Sequence, residues 1–178
     1  MPKEFWDLEE KKGYVIANVN GSNYYILDNR KHMATAAEIF KRIDYFIMDL
    51  SSYLSTNFHK VPPELKPGIM ILIMMHPHKQ RLYELPEDSQ FIGLCKPKGV
   101  KTNKNLPPIG KDKYLKATAK FLYIQIRNPD GTFKTGIEIE DIVIHELAHT
   151  AANHVTWRND NHGKDYKQYH DFLKRLYK

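Results

Sequence analysis

Cysteine is the scarcest residue in this sequence, since Cys95 is the only one among 178 residues. A single cysteine excludes an internal disulfide, and it excludes every zinc site that needs several cysteine ligands. It also suits a reducing compartment. We therefore expect an intracellular protein, located in the nucleus or the cytoplasm.

Long apolar segments are missing as well. The longest uninterrupted run, residues 69–75, has seven residues, whereas a helix that crosses a bilayer needs about 20. Residues 1–7 lack the layout of a signal peptide. We predict a protein that is neither secreted nor bound to a membrane. No repeat divides the chain, and its length predicts a single domain over residues 1–178.

Positive charge is what the sequence has in excess, with 27 basic residues against 21 acidic ones and a net charge of +6. Residues 96–120 hold eight lysines and one acid, Asp112, so the excess is local. Their prolines and glycines predict a long loop. We expect this basic segment to contact nucleic-acid phosphates, and a solvated loop or a docking surface for an acidic protein is the alternative. The lysines chosen as contacts are Lys98, Lys101, Lys104 and Lys111.

Local patterns in the first half predict both strands and helices. An Asn-Gly pair between two alternating segments predicts a β-hairpin over residues 14–27. Apolar residues at steps of three and four predict a helix over residues 36–55, opened by a capping box at Thr35 and Glu38. The apolar residues 69–75 are expected to form a central strand that is buried on both faces.

The second half completes an α+β fold, in which a small twisted sheet packs against an active-site helix and two further helices. Thr135 and Glu138 form a second capping-box pair at the start of that helix. We expect residues 121–127 to be an edge strand to which an extended substrate peptide can add. The predicted elements are strands at 90–95 and 121–127, a turn at 128–131, and helices at 137–153 and 164–177.

The helix at 137–153 contains the sequence HELAH, with His145 and His149 four residues apart. Residues at this spacing share one helix face, so both imidazoles can bind the same Zn²⁺ ion. Glu146 lies one step around the helix, where a carboxylate can reach a water activated by the metal. The pattern predicts two zinc ligands and a catalytic general base.

Catalytic zinc needs a third protein ligand, and His154 and His162 are the downstream candidates. His154 lies five residues after His149, at the expected helix end, where its geometry towards the same ion would be awkward. His162 opens the final helix after a loop long enough to turn the chain back. We favour His162 as the third ligand.

These motifs resemble those of known zinc protease families. The arrangement of the HELAH segment and His162 resembles that of the SprT-like zinc proteases. A loop separates the two, and His162 is followed by glycine and, four positions on, by Tyr166. Residues 82–88 and 91–99 resemble an acidic-aromatic-proline stretch and a glycine-leucine-lysine-glycine stretch of the related WLM metalloproteases. Residues 121–127 fall where that family has the strand before its zinc helix.

The resemblance covers about residues 82–172. It implies a minimal zincin-like metalloprotease domain that holds one zinc ion per chain with helices within residues 137–177. It also implies that residues 96–120 are a basic insertion loop, and that the substrates are proteins associated with DNA or crosslinked to it. Compact stand-alone forms of this kind are similar to proteins of large DNA viruses, so a virion is a further expected location.

Two functions follow from the sequence. The first is a zinc-dependent endopeptidase of the HExxH…H type, in which Glu146 transfers the proton of the attacking water to the leaving amine. The second is a non-catalytic, zincin-fold component of a larger assembly such as a virion, with a structural or nucleic-acid-binding role. The first is favoured because a purely structural protein does not need Glu146. We expect Tyr166 and Tyr169 to serve in packing.

Overall fold

The structure, a computed structural model, describes residues 13–74, 81–97, 120–152 and 163–177. These residues form a mixed α+β fold of five strands and four α-helices. The strands are β1 (Tyr14–Val19), β2 (Ser22–Leu27), β3 (Arg81–Glu84), β4 (Gly93–Pro97) and β5 (Lys120–Ile124). The helices are α1 (Met33–Thr56), α2 (Lys66–Met74), α3 (Gly136–Ala151) and α4 (Lys164–Tyr177), with 3-10 turns at Phe58–Lys60 and Pro63–Leu65.

The predicted β-hairpin is confirmed. Strands β1 and β2 pair antiparallel from Val19↔Ser22 to Tyr14↔Leu27. The Asn-Gly pair between them has positive φ at both positions, as a two-residue hairpin turn requires.

The sheet has the strand order β1-β2-β3-β5-β4. Strand β3 pairs parallel with both β2 and β5, while β4 pairs antiparallel with β5 from Gly93↔Ile124 to Pro97↔Lys120. The prediction that residues 121–127 form an edge strand is therefore wrong, because β5 has a partner on each side. Among the described strands, the edges are β1 and β4.

A second prediction, a buried strand at residues 69–75, is also wrong, because residues 69–74 are helical. Residues 66–74 form helix α2, in which Ile69, Ile71 and Leu72 are buried. An uninterrupted apolar run carries no periodicity, so it cannot distinguish a buried strand from a buried helix. Helix α2 packs against α3 and α4 at Gly68, where a Cβ atom would clash with the Ala151 carbonyl oxygen and the Tyr169 ring.

The two predicted capping boxes have different outcomes. Thr135 accepts a hydrogen bond from the Glu138 amide, and the Glu138 carboxylate accepts one from the Thr135 amide, so this box is confirmed. The box at Thr35 is wrong, because α1 begins at Met33, after His32 in a left-handed conformation without a side-chain cap. Thr35 therefore lies within the first turn of α1.

The helices pack on one face of the sheet. Leu82, Leu122 and Ile124 contribute to a large apolar core together with buried side chains of all four helices. Tyr83 and Tyr123 alternate with these residues and lie on the opposite face, where their ring centroids stack 4.7 Å apart. Within the described part of the chain, no helix has both the length and the apolar character needed to cross a membrane.

Candidate metal centre

Helix α3 carries the predicted site and is fixed at both ends. Its capping box holds the first turn, and Leu147, Ala148 and Ala151 in its second half are buried in the core. Strands β4 and β5 and helices α2 and α4 all pack against it. The HELAH segment is thus held by four elements, so the directions of its side chains are determined by packing.

His145 and His149 meet as the sequence predicts. Their Nε2 atoms are 3.2 Å apart. Two nitrogens bound to one tetrahedral zinc at about 2.0–2.1 Å lie roughly 3.3–3.4 Å from each other. The two imidazoles therefore already have the spacing of a zinc ligand pair, and a hydrogen bond joins them when no metal lies between them.

Tyr166 on α4 contacts this pair directly. Its hydroxyl oxygen lies 2.9 Å from Nδ1 of His145, and its ring centroid lies 4.3 Å from that of His149. His170, one turn further along α4, stacks against the Tyr166 ring at a centroid distance of 5.4 Å. The predicted packing role is confirmed for Tyr169, whose hydroxyl accepts a hydrogen bond from the Gly68 amide. For Tyr166 the prediction missed the contact with His145.

Glu146 points away from solvent towards strand β4. A Cβ atom on Gly93 would lie only 2.6 Å from its Oε1 atom, so glycine at this position lets the strand approach the carboxylate. Burial raises the pKa of Glu146 to about 8. None of the described side chains forms an ion pair with it. A carboxylate that is buried without a counter-charge is typical of sites that act on a proton or bind a cation.

The described residues supply no third ligand to the His145–His149 pair. No cluster of three or more His, Cys, Asp or Glu side chains suited to a metal ion occurs within residues 13–74, 81–97, 120–152 and 163–177. His162 and His154, the two candidates from the sequence, both lie outside these ranges. The structure thus brings the imidazoles of His145 and His149 together and places the Glu146 carboxylate against β4. The choice of third ligand stays a prediction.

The basic segment at 96–120 begins and ends in the sheet. Its first two residues belong to β4, and Lys120 begins β5 as the register partner of Pro97. The segment therefore connects two neighbouring antiparallel strands. Lys98, Lys101, Lys104 and Lys111 lie outside the described residues.

Comparison with known proteins gives no relative. No family model, no curated protein and no solved structure matches this chain. The resemblance to the SprT-like and WLM families accordingly rests on the motifs of the sequence alone.

Tyr166 and His170 are the site residues whose contacts the sequence analysis did not find. They are four residues apart, so they share one face of α4, as His145 and His149 share one face of α3. This spacing was visible in the sequence. The packing of α4 against α3, which brings the two faces together, was not.

Proposed function

We propose that this protein is a zinc-dependent endopeptidase with a minimal zincin-like fold. The observation that carries the proposal is the convergence of the His145 and His149 Nε2 atoms, 3.2 Å apart, beside the buried carboxylate of Glu146. His162 completes the ligand set in this proposal, with one zinc ion per chain. The mixed α+β fold, with a sheet on one side of the zinc helix, agrees with such a domain.

The roles of the chain's own residues follow from their chemistry. His145, His149 and His162 would hold a zinc ion, which when bound would act as a Lewis acid on the scissile carbonyl and lower the pKa of an attacking water. Glu146 accepts the proton of that water on its carboxylate and then donates it to the leaving amine. The raised pKa of Glu146 favours the first of these transfers, because a carboxylate of higher pKa is a stronger base.

Strand β4 replaces β5 as the proposed substrate-binding edge. It lies at the sheet edge among the described strands, and Gly93 at its start contacts Glu146. An extended peptide that adds to β4 through main-chain hydrogen bonds would therefore pass beside the general base, with little dependence on its sequence. Phe91 and Ile92, both exposed just before β4, offer apolar contacts to the same peptide.

The proposed substrates are proteins associated with DNA or crosslinked to it. The basic segment supports this choice, because its excess of seven positive charges is connected to both β4 and β5. Phosphate contacts from such a segment would be independent of base sequence. The corresponding location is the nucleus, the cytoplasm or a virion.

Metal analysis combined with a proteolysis assay tests the proposal. The purified protein is expected to contain one zinc per chain and to cleave itself or a DNA-bound protein when DNA is added. Glu146→Gln is expected to keep the zinc and lose proteolysis by a factor of about 10²–10⁴, because a neutral amide cannot accept the proton. Zinc without proteolysis in the wild-type protein, or absence of zinc, would overturn the endopeptidase and favour the non-catalytic component.

A further inference from the structure

We propose that Tyr166 is a positioning residue of the metal centre, whose hydroxyl holds the His145 ring so that Nε2 faces the metal. The inference deepens the proposed function, since it requires a metal between His145 and His149. It adds a residue from α4 to the pair of histidines on α3.

The tautomer of His145 is the first step of the argument. A neutral imidazole carries its proton on one nitrogen and a lone pair on the other. When Nδ1–H donates to the Tyr166 oxygen, 2.9 Å away, Nε2 presents its lone pair towards Nε2 of His149. Metal-bound histidines generally donate their second nitrogen's proton to such a partner, which fixes the ring and raises its basicity as a ligand.

The position of the Tyr166 hydroxyl is itself fixed. Its ring contacts the rings of His149 and His170, at centroid distances of 4.3 and 5.4 Å, and is nearly parallel to the second at 19°. The side chain is only 6% exposed. Leu173, further along α4, is fully buried in the core, so the helix has little freedom to move the hydroxyl.

Tyr169 provides an internal comparison on the same helix. It is similarly buried, at 8% exposure, but its hydroxyl accepts a hydrogen bond from the Gly68 amide 3.1 Å away. That bond ties α4 to α2 and involves neither histidine. The two tyrosines thus have matched burial and chemistry and different partners, one an imidazole nitrogen of the candidate site and the other a backbone amide.

The experiment compares Tyr166→Phe with Tyr169→Phe in the full chain. Both changes remove one hydroxyl and keep the ring. Zinc affinity, measured by competition with a chromophoric chelator, is expected to fall about 10–100-fold in Tyr166→Phe and to stay at the wild-type value in Tyr169→Phe. Urea unfolding of the metal-free proteins is expected to show the opposite order, with the larger decrease in stability in Tyr169→Phe.

A spectroscopic measurement on the wild-type protein keeps the inference testable if a variant does not fold. Nitrogen-15 NMR of the zinc-loaded protein is expected to show His145 bound through Nε2, with a slowly exchanging proton on Nδ1. Ligation through Nδ1, or unchanged zinc affinity in a folded Tyr166→Phe variant, would overturn the role of Tyr166 and leave the zinc protease intact. Failure of the wild-type protein to bind zinc would overturn the proposed function itself.

Discussion

Two glutamates are buried in this molecule, and their surroundings are opposite. Glu84 on β3 is fully buried, with Oε1 2.7 Å from Nε of Arg127 and Oε2 accepting a hydrogen bond from the Leu27 amide. Glu146 on α3 is 4% exposed and has neither a cation nor a hydrogen-bond donor among the described side chains. Both have a raised pKa because burial disfavours the charged form, and Arg127 opposes that effect only at Glu84.

The difference separates a structural ion pair from the candidate metal centre. The Glu84 charge is compensated within the chain by Arg127, which also donates to the Lys31 carbonyl and lies over the Phe133 ring at 4.6 Å. Of the Arg127 nitrogens, only Nη2 is buried without a hydrogen-bond partner among the described residues. The ion pair joins the sheet to the turn before α1 and to the turn after β5. Glu146 has no such internal partner among the described side chains, so its burial is unfavourable unless a cation or a transferable proton accompanies it. Two histidines suited to a cation lie beside it.

The largest expected effect is loss of the proposed zinc ion from the candidate metal centre. His162→Ala is expected to abolish stoichiometric zinc, because two imidazoles alone do not form a stable catalytic zinc site. His154→Ala serves as the matched control and is expected to retain about one zinc per chain by metal analysis. Absence of zinc in His154→Ala with full retention in His162→Ala would refute the choice of third ligand.

Arg127→Met removes the ion pair between Glu84 and Arg127. This change leaves Glu84 buried and unpaired, so we expect the free energy of unfolding, measured with urea, to fall by about 3–5 kcal/mol. The zinc content of the folded fraction is expected to be unchanged. The double variant Glu84→Gln/Arg127→Met should recover part of this stability, since it removes the uncompensated charge. A similar decrease in the single and double variants would argue against the ion pair as the cause.

The pH dependence of stability sharpens the same comparison. With chelator present, the pKa of Glu146 is about 8 in the folded protein and 4.5 for the free side chain. Between pH 4.5 and pH 8 the native state therefore binds more protons than the unfolded state. The free energy of unfolding should therefore fall as pH rises through this window, by at most ~1.4 kcal/mol per pH unit from this group. Glu146→Gln should remove that part of the slope, and an identical slope in both proteins would contradict the assigned burial.

The smallest effect concerns the basic segment. Replacing Lys98, Lys101, Lys104 and Lys111 by Glu is expected to weaken DNA binding and to reduce its salt dependence by about 0.7–0.9 log units for each phosphate that the segment no longer neutralises. Zinc content should not change. Four exposed lysines elsewhere provide a control of equal charge: Lys31, Lys60, Lys164 and Lys167. Equal weakening in the two quadruple variants would show that net charge, and not this segment, binds DNA.

The sequence predicted those features that depend on neighbours along the chain. The hairpin turn, the capping box at Thr135 and the convergence of His145 with His149 are all set within five residues. The errors concern contacts made at long range. Whether β5 lies at an edge depends on where β4 pairs. The apolar run of α2 has no periodicity, so only its place in the folded core distinguishes a helix from a strand.

The candidate site shows the same division. Glu146 was predicted as a base from its place in the motif, but its burial against Gly93 follows from the approach of β4, 53 residues earlier in the chain. The contact between Tyr166 and His145 likewise depends on how two helices cross. Such contacts join residues far apart along the chain, so no local sequence pattern predicts them.

The pairing of Pro97 with Lys120 makes the basic segment a separable module of the chain. Because these residues are already opposite each other on adjacent strands, a tight turn of about four residues can close the same hairpin in place of the 22 residues between them. Shortening the connection in this way lowers its closure entropy cost by roughly 1.5 kcal/mol. Insertion and deletion of such a segment leave the strand register intact, so evolution or protein engineering can exchange it without rebuilding the helix that carries His145 and His149.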